Sequence, residues 1–385
     1  MSRDRMDADI LVLGAGLAGL SLGEACVRAG AGARLALIEP RETYVDDRTW
    51  CFWPAPGDPD AGLAEARWPR WRFSVREGRE CVQACADRPY AYLRGSRVYK
   101  NALDAVRGSN HVILQTGVSA SAVRPATDGV SVETSAGVLR AAHVIDARPP
   151  APDRREAATL LQVFAGREIE TDTPVFDPGV AELMTDMRCD GHGFVFSYVL
   201  AMSPTRALVE ATRFCGPEVS TDILERDLDA LIAERGLTRA EVLRTESGRL
   251  PMGLPEPAQS LDPRIVRAGA GGGGLRAASG YGFKRIRARA RACARSIAAG
   301  SGPIAHPAEP RARLAMDALF LQVIAREPDR APEIFMALAE RLGPERFVRF
   351  MSDEAGPADI AAVISSLPPA PFLKALAAPA RKAAA

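Results

Sequence analysis

Three glycines and two glutamates carry the spacing in this sequence that chemistry can use. Gly14, Gly16 and Gly19 make a G-x-G-x-x-G turn, enclosing Ala15 and Leu17, between the apolar run DILVL and the helical spacing of LAGLSLGEACVRAG. Glu39 ends the next short apolar run, twenty residues beyond Gly19. Glycine there permits a tight turn and lets backbone N–H groups reach a pyrophosphate at a helix start, while a carboxylate at position 39 accepts hydrogen bonds from a ribose diol. The expected ligand is a dinucleotide with an unphosphorylated adenosine ribose, FAD or NAD. Glu210 lies in LVEATRF, where strand alternation places Leu208, Glu210 and Thr212 on one face. On the pattern alone that face suits a solvated edge better than a pocket wall. Two further groups stand out: Asp186 and Arg188 in MTDMR, and DRTWCFW at 47–53, in a chain where aromatics are 6% of residues.

The elements that must position these groups follow from periodicity. Residues 9–39 read as one βαβ unit. The runs HVILQTGV, GVSVETSAG and VLRAAHVIDA, from 111 onward, read as a β-meander closing on Asp146. LLQVFAG, FVFSYVLAM and RALVEATRF read as strands of a second sheet, with TDTPVFDPG a loop between them. STDILERDLDALIAERG is an amphipathic helix with a polar cap and a glycine stop. RIVRAGAGGGGLRAASGYGF is a strand entering a glycine-rich turn, KRIRARARACARSIAAG is a helix, and the last eighty residues are helical and rich in alanine.

Composition excludes several functions. Lys plus Arg total 49 against 48 acidic residues, so a net charge of +1 gives no reason to expect a nucleic-acid partner. The seven cysteines are scattered, and a lone C-x3-C at Cys81 and Cys85 is poor zinc spacing, so no metal site and a reducing compartment are expected. The N-terminus has no signal-type apolar region and no stretch reaches the ~18–20 apolar residues of a spanning helix. The expectation is a cytoplasmic protein that touches a membrane, if at all, peripherally.

The early fingerprint, the meander ending in VIDAR and the late glycine turn together resemble the glutathione-reductase-type flavoproteins, whose FAD domain is assembled from separated segments. In that comparison Asp146 lies near the cofactor, and the turn carrying Gly273, Gly274, Gly280 and Tyr281 approaches flavin and pyrophosphate. Within this class the chain resembles the bacterial lycopene β-cyclases. The likeness is carried, in order, by D-R-T-W-C-F-W, Q-V-F-A-G-R-E at 162–168, P-V-F-D at 174–177, M-T-D-M-R at 184–188, F-S-Y-V-L at 196–200, L-V-E-A-T-R-F at 208–214, G-R-L-P-M at 248–252 and S-G-Y-G-F at 279–283. Arg276 departs from it, standing where many relatives carry histidine and proline.

The resemblance implies an α/β (α+β) protein with a Rossmann-like FAD-binding domain in three parts (1–80, 111–158 and 261–303). A β-sheet substrate domain would occupy 81–110 and 159–260, and a helical region 304–385. It implies redox-neutral cyclisation of the ψ-end groups of lycopene or a related carotenoid to β-rings, dependent on reduced FAD with NAD(P)H as reductant. Glu210 would be the proton donor, and Thr49, Trp50, Asp186 and Arg188 would meet the substrate. Burial raises a carboxyl pKa because it disfavours the charged form, which is what such a donor needs. The aromatic faces of TWCFW would line an apolar tunnel and stabilise a carbocation. Two other readings share parts of the pattern: a flavin redox enzyme of the geranylgeranyl-reductase or aromatic-hydroxylase type, and a non-catalytic carotenoid or lipid carrier, which would need no acid. Hydroxylases carry a Gly-Asp pair in the late turn, where this sequence has AGAGGGG.

Overall fold

The computed structural model describes residues 7–216, 219, 220, 222–255, 257, 260 and 262–377. The apolar run before the fingerprint forms the strand Ala8–Leu13, flanked in parallel by Leu35–Glu39 and Gly137–Asp146. A strand buried on both faces needs no polar alternation, which is why it reads as continuous hydrophobic sequence. The fingerprint helix Leu17–Arg28 packs on this sheet between the helices Gly95–Arg107 and Phe283–Ala298, which share its core through Tyr99, Ala102, Ala290, Cys293 and Ala294.

The meander differs from expectation in one strand. Val112–Thr116 lies at the far edge, parallel to Leu35–Glu39, and the first strand of the meander is Ala120–Ala126, running antiparallel to Gly129–Thr134. Pro125 and the small polar residues of ASAVRPA hide that edge strand, whose exposed side requires no hydrophobic pattern. Ile265–Arg267 adds a short parallel partner to Gly137–Asp146, so residues far apart in sequence complete one sheet.

A second sheet runs in the order 241–252, 160–170, 206–215, 193–201, 181–190, 70–74, 80–84. Alternation divides its faces. Val163, Ala165, Val209 and Ala211 turn toward the helix Asp222–Glu234, while Leu208, Phe194, Phe196, Phe214 and Met252 face the C-terminal helices. Arg213, fully buried, clamps the first side: it donates to both oxygens of Asp190 (2.5 and 2.8 Å) and of Asp227 on that helix (2.9 and 3.1 Å). A buried guanidinium is tolerable only with such complete pairing.

The strand pairing moves two of the expected segment edges. Arg70–Ser74 and Glu80–Ala84 belong to the second sheet, while Gly95–Arg107 packs with the first. Between the sheets, Thr49–Phe52, Tyr90–Arg94 and Ala66–Trp68 form a small third sheet. It is tied to the second by Trp68, whose indole N–H donates to the Ala201 carbonyl at 2.9 Å.

The helices Arg311–Arg326, Ala331–Arg341, Pro344–Met351, Pro357–Ser366 and Pro369–Ala377 close the remaining side. Among the described residues no single helix is long and apolar enough to cross a membrane; the last two pass that test only together, bent by 97°.

Candidate active site

The fingerprint glycines each have a different local requirement. Gly14 holds φ +90°, which L side chains rarely adopt, and a Cβ on Gly19 would stand 2.1 Å from the Gly14 carbonyl oxygen. Gly16 is different: a Cβ there would meet nothing nearer than Arg41 Nη2 at 3.9 Å. The turn is therefore tight inside and open outside. No side chain caps the helix that follows, and its first turn carries no acidic residue, so its N–H groups face the opening unpaired by the chain. Glu39, buried beside the loop, accepts the Ala15 N–H at 2.7 Å and Arg41 Nε at 2.8 Å. Asp146 sits at the end of the neighbouring strand in register with Leu13, its carboxylate held by Arg148 at 2.8 Å.

The late glycine turn folds over the same end. Gly273 and Gly280 hold φ of +87° and +63°, and the Gly274 N–H donates to the Gly269 carbonyl at 2.8 Å. Tyr281 leaves this turn toward the small sheet, its hydroxyl donating to the Cys51 carbonyl, and it packs with Leu17 in the cluster around Phe52 and Phe283. Nucleotide loop and aromatic cluster are thus contiguous. Arg276 is turned away, donating to both Asp317 oxygens at 2.8 and 3.0 Å and to Asp353 at 2.6 Å. It anchors the turn to the C-terminal helices.

Glu210 occupies the centre of the second sheet. It lies in register with Tyr198 on one side and with Gly166 on the other, and Gly166 is in turn in register with Glu246. The four positions form one row across four strands. Because Gly166 has no side chain, Glu210 and Glu246 face each other across it with nothing between, and Glu246 acts on the Glu210 carboxyl as a neighbouring charge. Thr212, two residues along the same face, donates to Glu210 Oε1 at 2.7 Å. Burial first, and then the charge of Glu246, push the Glu210 carboxyl up to about 8, against the opposing pull of the Thr212 hydroxyl and of Arg244. At neutral pH Glu210 keeps its proton. Glu246 was not among the residues singled out from sequence; it lies two residues before the quoted G-R-L-P-M, in a strand the sequence reading left unassigned.

One member of the row, Tyr198, lines a cavity of about 670 Å³. Glu210 is not itself on the wall, but its neighbours are: Tyr198 beside it, and Cys51, whose thiol is raised by burial and by both glutamates. From there the cavity runs past Phe52, Trp53, Tyr90, Phe214 and Leu250 to Phe347, Phe350 and Phe372 on the C-terminal helices. The passage is lined mainly by apolar and aromatic side chains, with the carboxyl row behind its Tyr198 and Cys51 wall.

The residues assigned to the substrate from sequence sit differently. Thr49 donates to Glu246 Oε2 at 2.7 Å, so it reaches the carboxyl row and not the wall. Trp50 is wedged between Tyr99 and Phe283, ring centroids 5.8 and 5.5 Å away, on the side of the fingerprint helix. Strand alternation puts Phe52 on the same side, against the same Phe283 ring, and Cys51, Phe52 and Trp53 line the cavity where Trp50 does not. Asp186 and Arg188 pair with each other at 2.5 Å, and Arg76 Nε adds a contact to Asp186 at 3.3 Å, where the 181–190 strand meets 70–74. Positive φ at Met184 (49°) and Asp186 (54°) breaks the alternation there and brings Met184 to the cavity instead.

The split parallel sheet, its fingerprint turn and the returning late turn define a glutathione-reductase-type FAD-binding fold. A flavoprotein/dehydrogenase from Cytophaga hutchinsonii superposes with a TM-score of 0.59 at 15% identity, covering 91% of this chain and 93% of that one. A geranylgeranyl bacteriochlorophyll reductase-like protein from Thermoplasma acidophilum superposes at 0.57 and 13%, covering 98% and 97%. Sequence narrows the class: the family model for lycopene cyclase proteins matches residues 9–377, and this chain belongs to that family. A lycopene beta-cyclase of Paracoccus sp. is 30% identical over 261 residues, 66% of this chain and 63% of that protein, so the match spans less than two thirds of the relative's length.

Proposed function

We propose that this chain is a flavoprotein lycopene β-cyclase, an intramolecular lyase that converts ψ-end groups of lycopene to β-rings without net redox change. The observation that carries the reading is a buried, proton-bearing glutamate, Glu210, directly behind the Tyr198 and Cys51 wall of an apolar cavity, in a member of the lycopene cyclase family. Cyclisation protonates the terminal alkene, lets the next double bond attack the tertiary cation, and removes a proton from the new ring. Glu210 gives the first proton, and its carboxylate takes the last one back. The faces of Tyr198, Tyr90 and Phe52 line the space in which the cation forms, and a π face attracts positive charge. Aromatic residues, 6% of the chain, recur along this wall.

FAD is the cofactor the residues fit. The open face of Gly16 and the uncapped helix N-terminus suit a pyrophosphate, Glu39 suits the ribose, and the turn at Gly273, Gly274, Gly280 and Tyr281 suits the far end of the molecule. Reduced FAD, when bound, supplies electron density beside the cation, with NAD(P)H as the source of electrons. In a host that accumulates lycopene, expression of the chain is expected to replace lycopene by γ-carotene and β-carotene in the chromatogram. Unchanged lycopene, or products altered in saturation or hydroxylation, would sink the assignment.

The substrate is a hydrocarbon dissolved in a bilayer, and the cavity's outer end suits that source. Ile364, Leu373 and Leu376 line it while 62, 63 and 67% exposed, on the bent pair of apolar helices Pro357–Ser366 and Pro369–Ala377. Peripheral contact would rest on this corner. Lys374 there is already paired with Glu327 at 2.8 Å, so attachment should depend on apolar burial more than on charge. Changing Leu373 and Leu376 together to serine is expected to lower the fraction sedimenting with liposomes roughly tenfold or more, since each buried leucine contributes up to ~1.5–3 kcal/mol. High salt should release little wild-type protein. Equal sedimentation of variant and wild type would remove the corner from the account.

A further inference from the structure

We infer that Glu246 is a positioning residue of the proton-donating site: it shares one proton with Glu210 across the side-chain gap at Gly166, and so holds that proton ready for the substrate. The inference rests on the reading of Glu210 as the acid. Register, anchoring and charge support it.

The first is register. Glu210 and Glu246 flank Gly166 on adjacent strands, and a Cβ on Gly166 would stand 3.3 Å from both Glu210 Cβ and Leu208 Cδ1. Any larger residue would fill the space where the carboxyls meet. The second is anchoring. Glu246 Oε2 accepts from Thr49 Oγ1 and from Arg244 Nη1, both at 2.7 Å. Arg244 Nη2 donates in turn to Thr49 Oγ1 at 2.9 Å and to the Tyr92 hydroxyl at 3.1 Å, and its Nε to Glu168 at 3.3 Å. A residue fixed from three strands is an aimed one. The third is chemical. Burial and the adjoining Glu246 charge both raise Glu210, so two carboxyls this close in a buried row keep one proton between them. Arg244 lies against Glu246, which places that proton on Glu210.

The consequence spans both halves of the reaction. When the O–H bond of Glu210 breaks and the C–H bond forms on the alkene, two carboxylates are left facing each other in a buried row. Their repulsion favours the return step, in which the ring C–H breaks and its proton goes back to Glu210 as the ring double bond forms. No oxidant or reductant is consumed. The titratable and charged groups facing Glu210 are Tyr198 from the neighbouring strand, Cys51 from the small sheet, and Arg244 and Glu246 from the strand beyond Gly166. Of these, Glu246 is the carboxyl.

The test is the pH profile of kcat/KM for lycopene turnover by the reduced, flavin-loaded protein. Glu246→Gln removes the like charge, so Glu210 should ionise more easily. The alkaline limb is expected to move to lower pH by about one unit or more, with KM little changed. Glu246→Asp, which keeps the charge, should restore most of the limb. Gly166→Ala, which leaves both carboxyls and separates them, should shift it in the same direction as Glu246→Gln. If Glu246→Gln fails to fold, the Gly166→Ala profile decides alone. A limb unmoved in both variants, with activity scaled down equally at every pH, overturns the inference. Glu210→Gln in the same assay keeps the outcomes separate: an active Glu210→Gln protein refutes the acid assignment itself, whatever Glu246→Gln does.

Discussion

Glu210→Gln should abolish cyclisation while leaving a folded, flavin-binding protein. General-acid catalysis by a positioned side chain is worth ~10²–10⁴ in rate, and glutamine has no proton to give to an alkene. The loss should therefore reach at least about a hundredfold in kcat, read as lycopene consumed per turnover of the purified, reduced protein. Nothing in the fold argues for collapse. The Glu210 carboxyl accepts one hydrogen bond, from Thr212 at 2.7 Å, and an amide oxygen accepts the same bond. Removing a buried acid next to Glu246 also removes a like-charge contact, so the variant should be at least as stable as wild type at high pH. In the wild type the sign of the pH dependence is fixed by the role. A donor must hold its proton, so the rate should be flat at neutral pH and fall as pH rises through about 8. Wild-type rates that rise through that range would assign the group a base's role at the start of the reaction.

What could be read in advance and what could not differ in the distance over which a signal acts. The βαβ unit was legible because its pattern is local: an apolar run, glycines at fixed offsets, and a helix, all within 9–39. The face shared by Leu208, Glu210 and Thr212 was legible for the same reason, since alternation acts between neighbours. Glu246 was not. Its relation to Glu210 passes through a third strand and depends on register, on 160–170 lying between 206–215 and 241–252, and on a glycine standing at the crossing. The strand 241–252 itself, EVLRTESGRLPM, offers little apolar alternation because it lies at the sheet edge and successive residues on both of its faces, from Glu241 to Thr245, are open or half-open to solvent. The strand 181–190 was missed for a different reason: two residues at positive φ interrupt its period. The aromatic cluster was legible as composition and ambiguous as geometry. Sequence singled out 49–53 as a unit, but a strand sends successive side chains to opposite sides, so Thr49 reaches the carboxyls while Trp50 and Phe52 turn together onto Phe283, and of these three Phe52 alone also lines the cavity.

At the other end of the molecule, Gly16→Ala and Gly19→Ala should both cost the protein its flavin, and for opposite reasons. A Cβ on Gly19 lands 2.1 Å from the Gly14 carbonyl oxygen and 3.5 Å from Val12 Cγ1, so the fingerprint helix must back away from its strand. Backbone is the obstacle, and backbone cannot rotate aside. Overpacking of this kind costs ~1–3 kcal/mol and occasionally more, and the upper end is expected here, seen as a melting temperature lower by roughly 5 °C or more without added flavin. Gly16→Ala meets only the flexible end of Arg41 at 3.9 Å, and Gly16 has φ −71°, which alanine adopts freely. Its flavin-free melting temperature should stay within roughly 2 °C of wild type. Yet the added methyl projects into the opening where a pyrophosphate would meet the helix N-terminus, so flavin retained through gel filtration should fall at least roughly tenfold. The contrast separates packing from binding at one loop. A Gly16→Ala protein that purifies fully flavin-loaded would move the pyrophosphate away from this turn, and a Gly19→Ala protein that melts like wild type would mean the helix and strand are not in the close contact that makes the turn a cradle.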